Sequence, residues 1–191
     1  MTLLKEVADI QMGYSFRSRL EPTSGGNLII IQMKDLGDEI VDFSEVIRIS
    51  FNDINEKHFV KTGDLVFRTR GNTSDSAIIS TDPGNAVIAA PLLRIRIKNT
   101  ELILPEFLNW YMSQKQAQAF LESRANFTVQ KMISKETLEN LEVPLLPIQI
   151  QTRLIDIAAL ARRENEIIKA IAEKKYQLIT NQLCKIIKKG Y

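Results

Sequence analysis

One cysteine and one histidine stand among the 191 residues. Cys184 has no mate for an intrachain disulfide, which points to a reducing, cytoplasmic setting. His58 is the only other soft ligand, so a zinc site built from His and Cys is excluded. No stretch of 18 residues is free of charge, and nothing reads as a membrane span. Met1-Thr-Leu-Leu-Lys-Glu lacks the apolar run of a signal peptide. Glycine is sparse, at eight residues, and neither G-x-G-x-x-G nor G-x-x-x-x-G-K-[ST] occurs, so the usual cradles for nucleotide phosphates are missing. G-x-S-x-G, H-E-x-x-H and paired-cysteine sites are absent as well. The Asn/Asp-Pro-Pro-Tyr/Phe motif of amino methyltransferases does not occur either. Lys135, Glu136 and Glu139 are the nearest set to a Mg²⁺-holding nuclease cluster, and they have ordinary surface spacing on a helix. No catalytic residue and no cofactor is expected, and the chain reads as a binding module.

What is present is an ordinary globular composition, 45% hydrophobic and 25% charged. The charge is unevenly divided. Residues 147–191 carry nine Lys/Arg against four Asp/Glu, a net of +5. Of the 25 basic and 23 acidic residues in the chain, 16 and 19 are left for residues 1–146, a net of −3. Any contact of that first part with nucleic acid has to be local, made by a few clustered side chains.

From Pro147 to Lys189 the sequence has no glycine and no further proline, and it is rich in helix formers. Apolar or small residues recur at Ile150, Leu154, Ile157, Ala161, Ile168, Ile171, Leu178 and Ile186, which leaves one narrow stripe down a helix. At a rise of roughly 1.5 Å per residue the helix is about 60 Å long, against about 30 Å for a domain of the remaining size. The expectation is a projecting helix whose stripe is covered by a partner helix. Glu164, Lys175 and Gln182 interrupt the heptad seam, and polar seam residues fix register and partner at a cost in stability. The alternative is a terminal helix folded back on its own domain.

The first part reads as α+β. Residues 3–10 form a short helix or strand leading to Gly13, and Tyr14 to Leu20 precede a turn at 22–26. Arg17 and Arg19, beside Tyr14 and Phe16, have the chemistry to meet a phosphate and a base, or simply belong to a solvated loop. Leu28–Met33 is apolar on both faces and predicts a central strand. Gly63-Asp64 makes a tight turn into the strand Leu65–Phe67. Arg68 and Arg70 lie two apart, hence on one face of a strand, with Asn72, Thr73 and Ser74 following. Arg and Asn on one rim suit guanine and adenine edges; alternatively the two arginines pair with Asp64 and Asp75. Ala77–Ile79 and Ala86–Ile97 read as further strands, with Pro91 at an edge or bulge. Pro105 opens a helix expected to run on through Lys115–Glu122, with Phe107, Leu108, Tyr111, Met112, Ala119 and Phe120 as its apolar side. Asn126 to Lys131 is a polar loop, Ser134 caps a short helix, and Leu141 to Pro147 is an extended exit. His58 reads as a partly exposed structural residue.

Gly13 after a short opening segment, Lys61-Thr-Gly-Asp-Leu-Val-Phe-Arg and Pro105-Glu-Phe-Leu-Asn-Trp-Tyr-Met occur in that order. After them comes Gln130-Lys-Met-Ile-Ser-Lys-Glu-Thr-Leu-Glu-Asn-Leu-Glu-Val-Pro-Leu-Leu-Pro-Ile-Gln-Ile-Gln. Together they resemble the DNA-specificity (S) subunits of type I restriction–modification systems over nearly the whole chain. That family usually carries two target-recognition domains and two helical regions per chain, whereas one of each is found here. Leu146-Pro147 replaces its common Pro-Pro, and Ile150 its frequent Glu.

The resemblance implies a half-size subunit. Residues 1–146 would be a target-recognition domain with a mixed or antiparallel sheet and packed helices. Residues 147–191 would be a helix pairing as an antiparallel coiled coil through Leu154, Ile157, Ala161, Ile168, Ile171 and Leu178. It also implies double-stranded DNA, methyltransferase (M) and restriction (R) subunits, and a second copy of the chain as partners. Arg17, Arg19, Arg68 and Arg70 are the first candidates for DNA contact, with Asn72, Ser74, Thr128, Gln130 and Lys131 on adjoining loops. The remaining alternative is a protein-interaction head on a coiled-coil stalk, which the negative head favours.

Overall fold

The computed structural model describes residues 1–17, 20–51, 54–71, 75–127 and 131–188. In chain order they form β1 (Thr2–Leu3), α1 (Leu4–Val7), β2 (Ala8–Met12), β3 (Leu28–Ile31), β4 (Ile47–Ile49) and β5 (Leu65–Phe67). Next come β6 (Ser76–Ile78), β7 (Ala86–Ile88), β8 (Leu93–Ile97), α2 (Pro105–Met112) and α3 (Lys115–Ser123). The last are β9 (Asn126–Phe127), β10 (Lys131–Met132), α4 (Lys135–Glu139), β11 (Glu142–Val143) and α5 (Ile148–Lys188). Residue contacts separate two units, Met1–Gln151 and the chain from Thr152 onward.

Two sheets form the heart of the first unit. One is antiparallel in the order β2-β8-β5-β6; the other, β4-β3-β7, pairs β3 antiparallel to β4 and parallel to β7. Side chains alternate faces along a strand, and the apolar runs use both. Ile29 and Ile31 of β3, with Ala86 and Ile88 of β7, pack against Val66 of β5 and Ala77 of β6 in one core. Leu28, Ile30 and Val87 point the other way and pack with Phe16, Phe51 and Phe59. This two-sided burial explains why Leu-Ile-Ile-Ile carries no polar residue, and each such side chain stabilises the fold by about 1.5–3 kcal/mol.

Gly63 has φ of 86°, a left-handed conformation that suits glycine, and so lets the chain reverse before β5. Gly13 is needed for space: a Cβ there would lie 2.7 Å from the carbonyl carbon of Ala89.

Three expectations are corrected. The helix opened by Pro105 stops at Met112. Gln118 Nε2 donates to the Met112 carbonyl at 2.6 Å and Gln114 Nε2 to that of Trp110 at 2.9 Å, so glutamine amides satisfy groups that a continuing helix would have used. The break resets the helical phase: Ala117 and Leu121 are buried, Ala119 is exposed and Phe120 is half-buried beneath the Arg124 guanidinium. Ala86–Ile97 is two strands in different sheets, with a cis Ala90–Pro91 bond between them. The Asn126–Lys131 stretch includes paired residues, Lys131 opposite Phe127. As expected, Ser134 caps α4, its Oγ accepting from the Thr137 N–H at 3.0 Å.

In the second unit, α5 is a single helix, and Ile157, Ile168, Ile171 and Leu178 are between 55% and 63% exposed. Ala161 is exposed too, and Leu154 is half-buried. Among the described residues no helix is long and apolar enough to cross a membrane.

Candidate nucleic-acid interface

The segment after β5 places its three side chains differently. Arg68 is half-buried, and its Nη2 donates to the carbonyls of Met33 and Leu36 at 3.2 and 3.3 Å. Thr69 is buried, and its hydroxyl donates to the Pro91 carbonyl at 2.7 Å. Arg70 is exposed, and its backbone bridges Met132 of β10. The Ile133 N–H also donates to the Thr69 carbonyl at 2.9 Å. Strand β5 ends at Phe67, so a strand does not present the two arginines together; the loop anchors Arg68 and offers Arg70. Asp64, a possible mate for either, is taken by Arg96.

Arg17 is exposed on a second rim. It lines an open depression with Gln11, Tyr14, Lys57, His58 and Lys135. Tyr14 stands edge-on to Phe16 at 4.7 Å and to His58 at 5.3 Å between ring centres. Gln11 Nε2 lies 3.0 Å from His58 Nδ1, so the amide donates when the ring proton is on Nε2. Burial first, then the charges of Lys57 and Arg94, hold the imidazole below its ordinary 6.5. Lys135 reaches Glu139 at 3.4 Å. Because Lys135 follows Met132 by three residues, this depression and the Arg70 loop are joined through the start of α4.

Two arginines, Arg94 buried and Arg96 half-buried, support the Lys57 segment. Arg94 Nη1 donates to the Lys57 carbonyl at 2.7 Å, and its Nη2 reaches Asp9 at 2.9 Å. Arg96 Nη2 donates to the Phe59 carbonyl at 3.0 Å. Burial, aided by nearby Arg96, pushes the Arg94 pKa down, while the bond to Asp64 pushes that of Arg96 up. The sequence reads Leu93-Arg-Ile-Arg-Ile only as strand, does not single out Arg94, Arg96 or Lys57, and brings up Lys135 only beside Glu136 and Glu139 as a weak metal-holding set. The alternation of Arg with apolar residues was the available signal. Arg19, Asn72, Ser74, Thr128 and Gln130 lie outside the described residues, and the Lys131 side chain does too. Among the described residues no group of three or more His, Cys, Asp or Glu could hold a metal ion.

The arrangement sets exposed cations beside the Gln11 amide and aromatic rings, carried on loops, on β2 and on the start of α4, and locked from beneath. It suits phosphate and base-edge contact.

Residues 2–178 match the model of the type I restriction modification DNA specificity domain. No curated protein matches the chain. A structure described as showing complex assembly and conformational transition of the type I R-M system has a TM-score of 0.65 at 21% identity. It aligns with 92% of this chain and 41% of its own. The HsdS subunit from Thermoanaerobacter tengcongensis gives 0.61 at 20% identity, over 85% and 37%. The type I S subunit from M. genitalium gives 0.54 at 15%, over 86% and 39%. The chain thus spans about two fifths of the length of these chains, which share its fold. With nearly all of its length matched by the family model, the chain belongs to the type I restriction–modification DNA specificity domain family.

Proposed function

We propose that this chain is a specificity subunit that reads one half of a bipartite DNA site, non-catalytically, in the cytoplasm. Residues 1–146 form the reading head and 147–191 the helix through which two copies pair antiparallel. M subunits dock on the pair and carry out methylation, and the R subunit carries out cleavage. The observation that carries this reading is the meeting of exposed Arg70 with the β9–β10 segment, joined through α4 to the Arg17 depression. Membership of the specificity-domain family and one head and one long helix in the described chain support it.

The test is selection of bound duplexes from a randomised pool by the chain assembled with its M subunit. A two-part motif with inverted halves is the expected product. Enrichment of no motif, with affinity insensitive to salt, overturns it. The −3 charge of residues 1–146 favours a second reading, a protein-binding head, and that result would select it.

A further inference from the structure

The stripe of α5 contains two charges in wholly apolar company. The residues three and four away from Glu164 are Leu160, Ala161, Ile167 and Ile168; those around Lys175 are Ile171, Ala172, Leu178 and Ile179. Ion pairs along a helix form at those spacings, so neither charge has a mate of that kind on its own helix. The recorded pair Arg163–Glu166, at 3.2 Å, lies off the seam. The seam itself is exposed at Ile157, Ile168, Ile171 and Leu178.

We propose that two copies pair in one antiparallel register, with the two-fold axis crossing between Lys169 and Ala170. Each Glu164 then faces Lys175 of the partner subunit. This rests on the paired-helix reading above and adds its alignment. In this register Ile168 packs on the partner's Ile171 and Ala161 on the partner's Leu178. Ile157 meets the partner's Gln182. The axis generates the Glu164–Lys175 pair twice, once on each side of an Ile centre.

The alternatives fail on charge. Sliding the partner one heptad one way sets Glu164 against Ile168 and Lys175 against Ile157. Sliding it the other way sets Lys175 against Ile171 and Glu164 against Gln182. A parallel pair in register stacks Glu164 on Glu164 and Lys175 on Lys175, like charges at seam positions. Only one alignment answers both charges, so these residues act as the register lock. It places the two Ile148 residues about 65 Å apart along the helix axes at 1.5 Å per residue.

Charge reversal in the full chain tests the lock. Glu164→Lys or Lys175→Glu alone raises the dimer dissociation constant about tenfold or more, read by sedimentation. The double variant returns to within about threefold of wild type. A double variant no better than either single one overturns the register. Crosslinking reads the alignment directly, on a Cys184→Ser background because Cys184 is exposed. Chains with Ala161→Cys mixed with chains carrying Leu178→Cys form a disulfide dimer, whereas neither does so alone. Ala161→Cys chains that crosslink to each other show a parallel pair and overturn the register too. A wild-type chain that shows no self-association by sedimentation at tens of micromolar, with M subunit present, removes the pairing reading itself.

Discussion

Arg96 holds the Asp64 carboxylate with two parallel hydrogen bonds, Nε to Oδ1 at 2.7 Å and Nη2 to Oδ2 at 2.6 Å. Asp64 also accepts the Lys61 N–H at 2.8 Å, so one carboxylate closes the turn at Gly63 and ties it to β8. Asp64 is only 2% exposed. Asp64→Ala should cost about 3–5 kcal/mol, since it strands a half-buried guanidinium. Arg96→Lys keeps the charge and loses the fork, and should cost less, about 1–2 kcal/mol. Urea denaturation of both variants checks the order; equal losses would mean that the fork adds nothing.

Arg17 and Arg70 are exposed, whereas Arg68 is bonded to two carbonyls. Arg17→Ala and Arg70→Ala should therefore weaken binding to the cognate duplex while leaving the melting temperature in place. A phosphate contact lowers the salt slope by about 1, and a base contact costs about 1–3 kcal/mol at one position of the site. Arg68→Ala should instead lower stability by about 1–2 kcal/mol. Binding titrations at several salt concentrations, set beside thermal melts, separate the two kinds of arginine.

A Cβ at Gly13 would also meet the carbonyl oxygens of Ala89 and Ile88, each at 2.8 Å. All three contacts are backbone, which cannot rotate away. Gly13→Ala should destabilise by about 1–3 kcal/mol through overpacking. Loss of less than a few tenths of a kcal/mol, measured by denaturant titration, would show that the β7–β8 turn yields easily.

Gln151 is fully buried in the first unit. Its Oε1 accepts the Leu104 N–H at 2.9 Å, and its Nε2 donates to the carbonyls of Leu102 and Leu146 at 2.9 and 2.7 Å. Gln151→Ala leaves these groups unsatisfied and should cost about 2–4 kcal/mol. Gln151→Glu forfeits the donor and should be at least as damaging. Amide exchange should quicken at Leu104 in both variants.

Burial pushes the Asp35 carboxyl above its ordinary 3.8, against the hydrogen bond from the Gln32 N–H and the charge of Lys34. A raised carboxyl favours the folded state most below 3.8, and that contribution is lost as pH rises through the folded pKa. The stability of wild type relative to Asp35→Asn should therefore fall with rising pH across that window. Denaturant midpoints over about pH 3–7 read the slope, and an opposite slope would show that Asp35 is stabilised as an anion.

Strand and helix identity was legible where burial is two-sided or strictly periodic, as in Leu28–Ile31 and the long run from Ile148. The Ser134 cap was legible because its chemistry is local. The break after Met112 was not, because it depends on Gln114 and Gln118 side chains competing for backbone carbonyls. The split of Ala86–Ile97 was hidden for a related reason: both halves are apolar, and only the tertiary arrangement decides which sheet each joins. At the candidate interface, Arg17 and Arg70 stood out by residue type. Lys57 did not, and Lys135 drew notice only beside Glu136 and Glu139, since nothing local marks either as facing nucleic acid. Arg94 and Arg96 looked like the polar half of an alternating strand, and only the fold reveals them as supports of the Lys57 segment.

The pairing of β1 with β11 sets Thr2 directly opposite Val143. The first and last strands of the first unit thus lie one strand spacing apart, about 4.8 Å. A fold whose first and last strands pair can be cut from one polypeptide and spliced into another, or repeated in tandem, without rethreading anything inside. Exchange of whole modules by recombination between genes therefore demands little of the backbone, and under the DNA-reading proposal each exchange transfers a complete reading head rather than one substitution at a time.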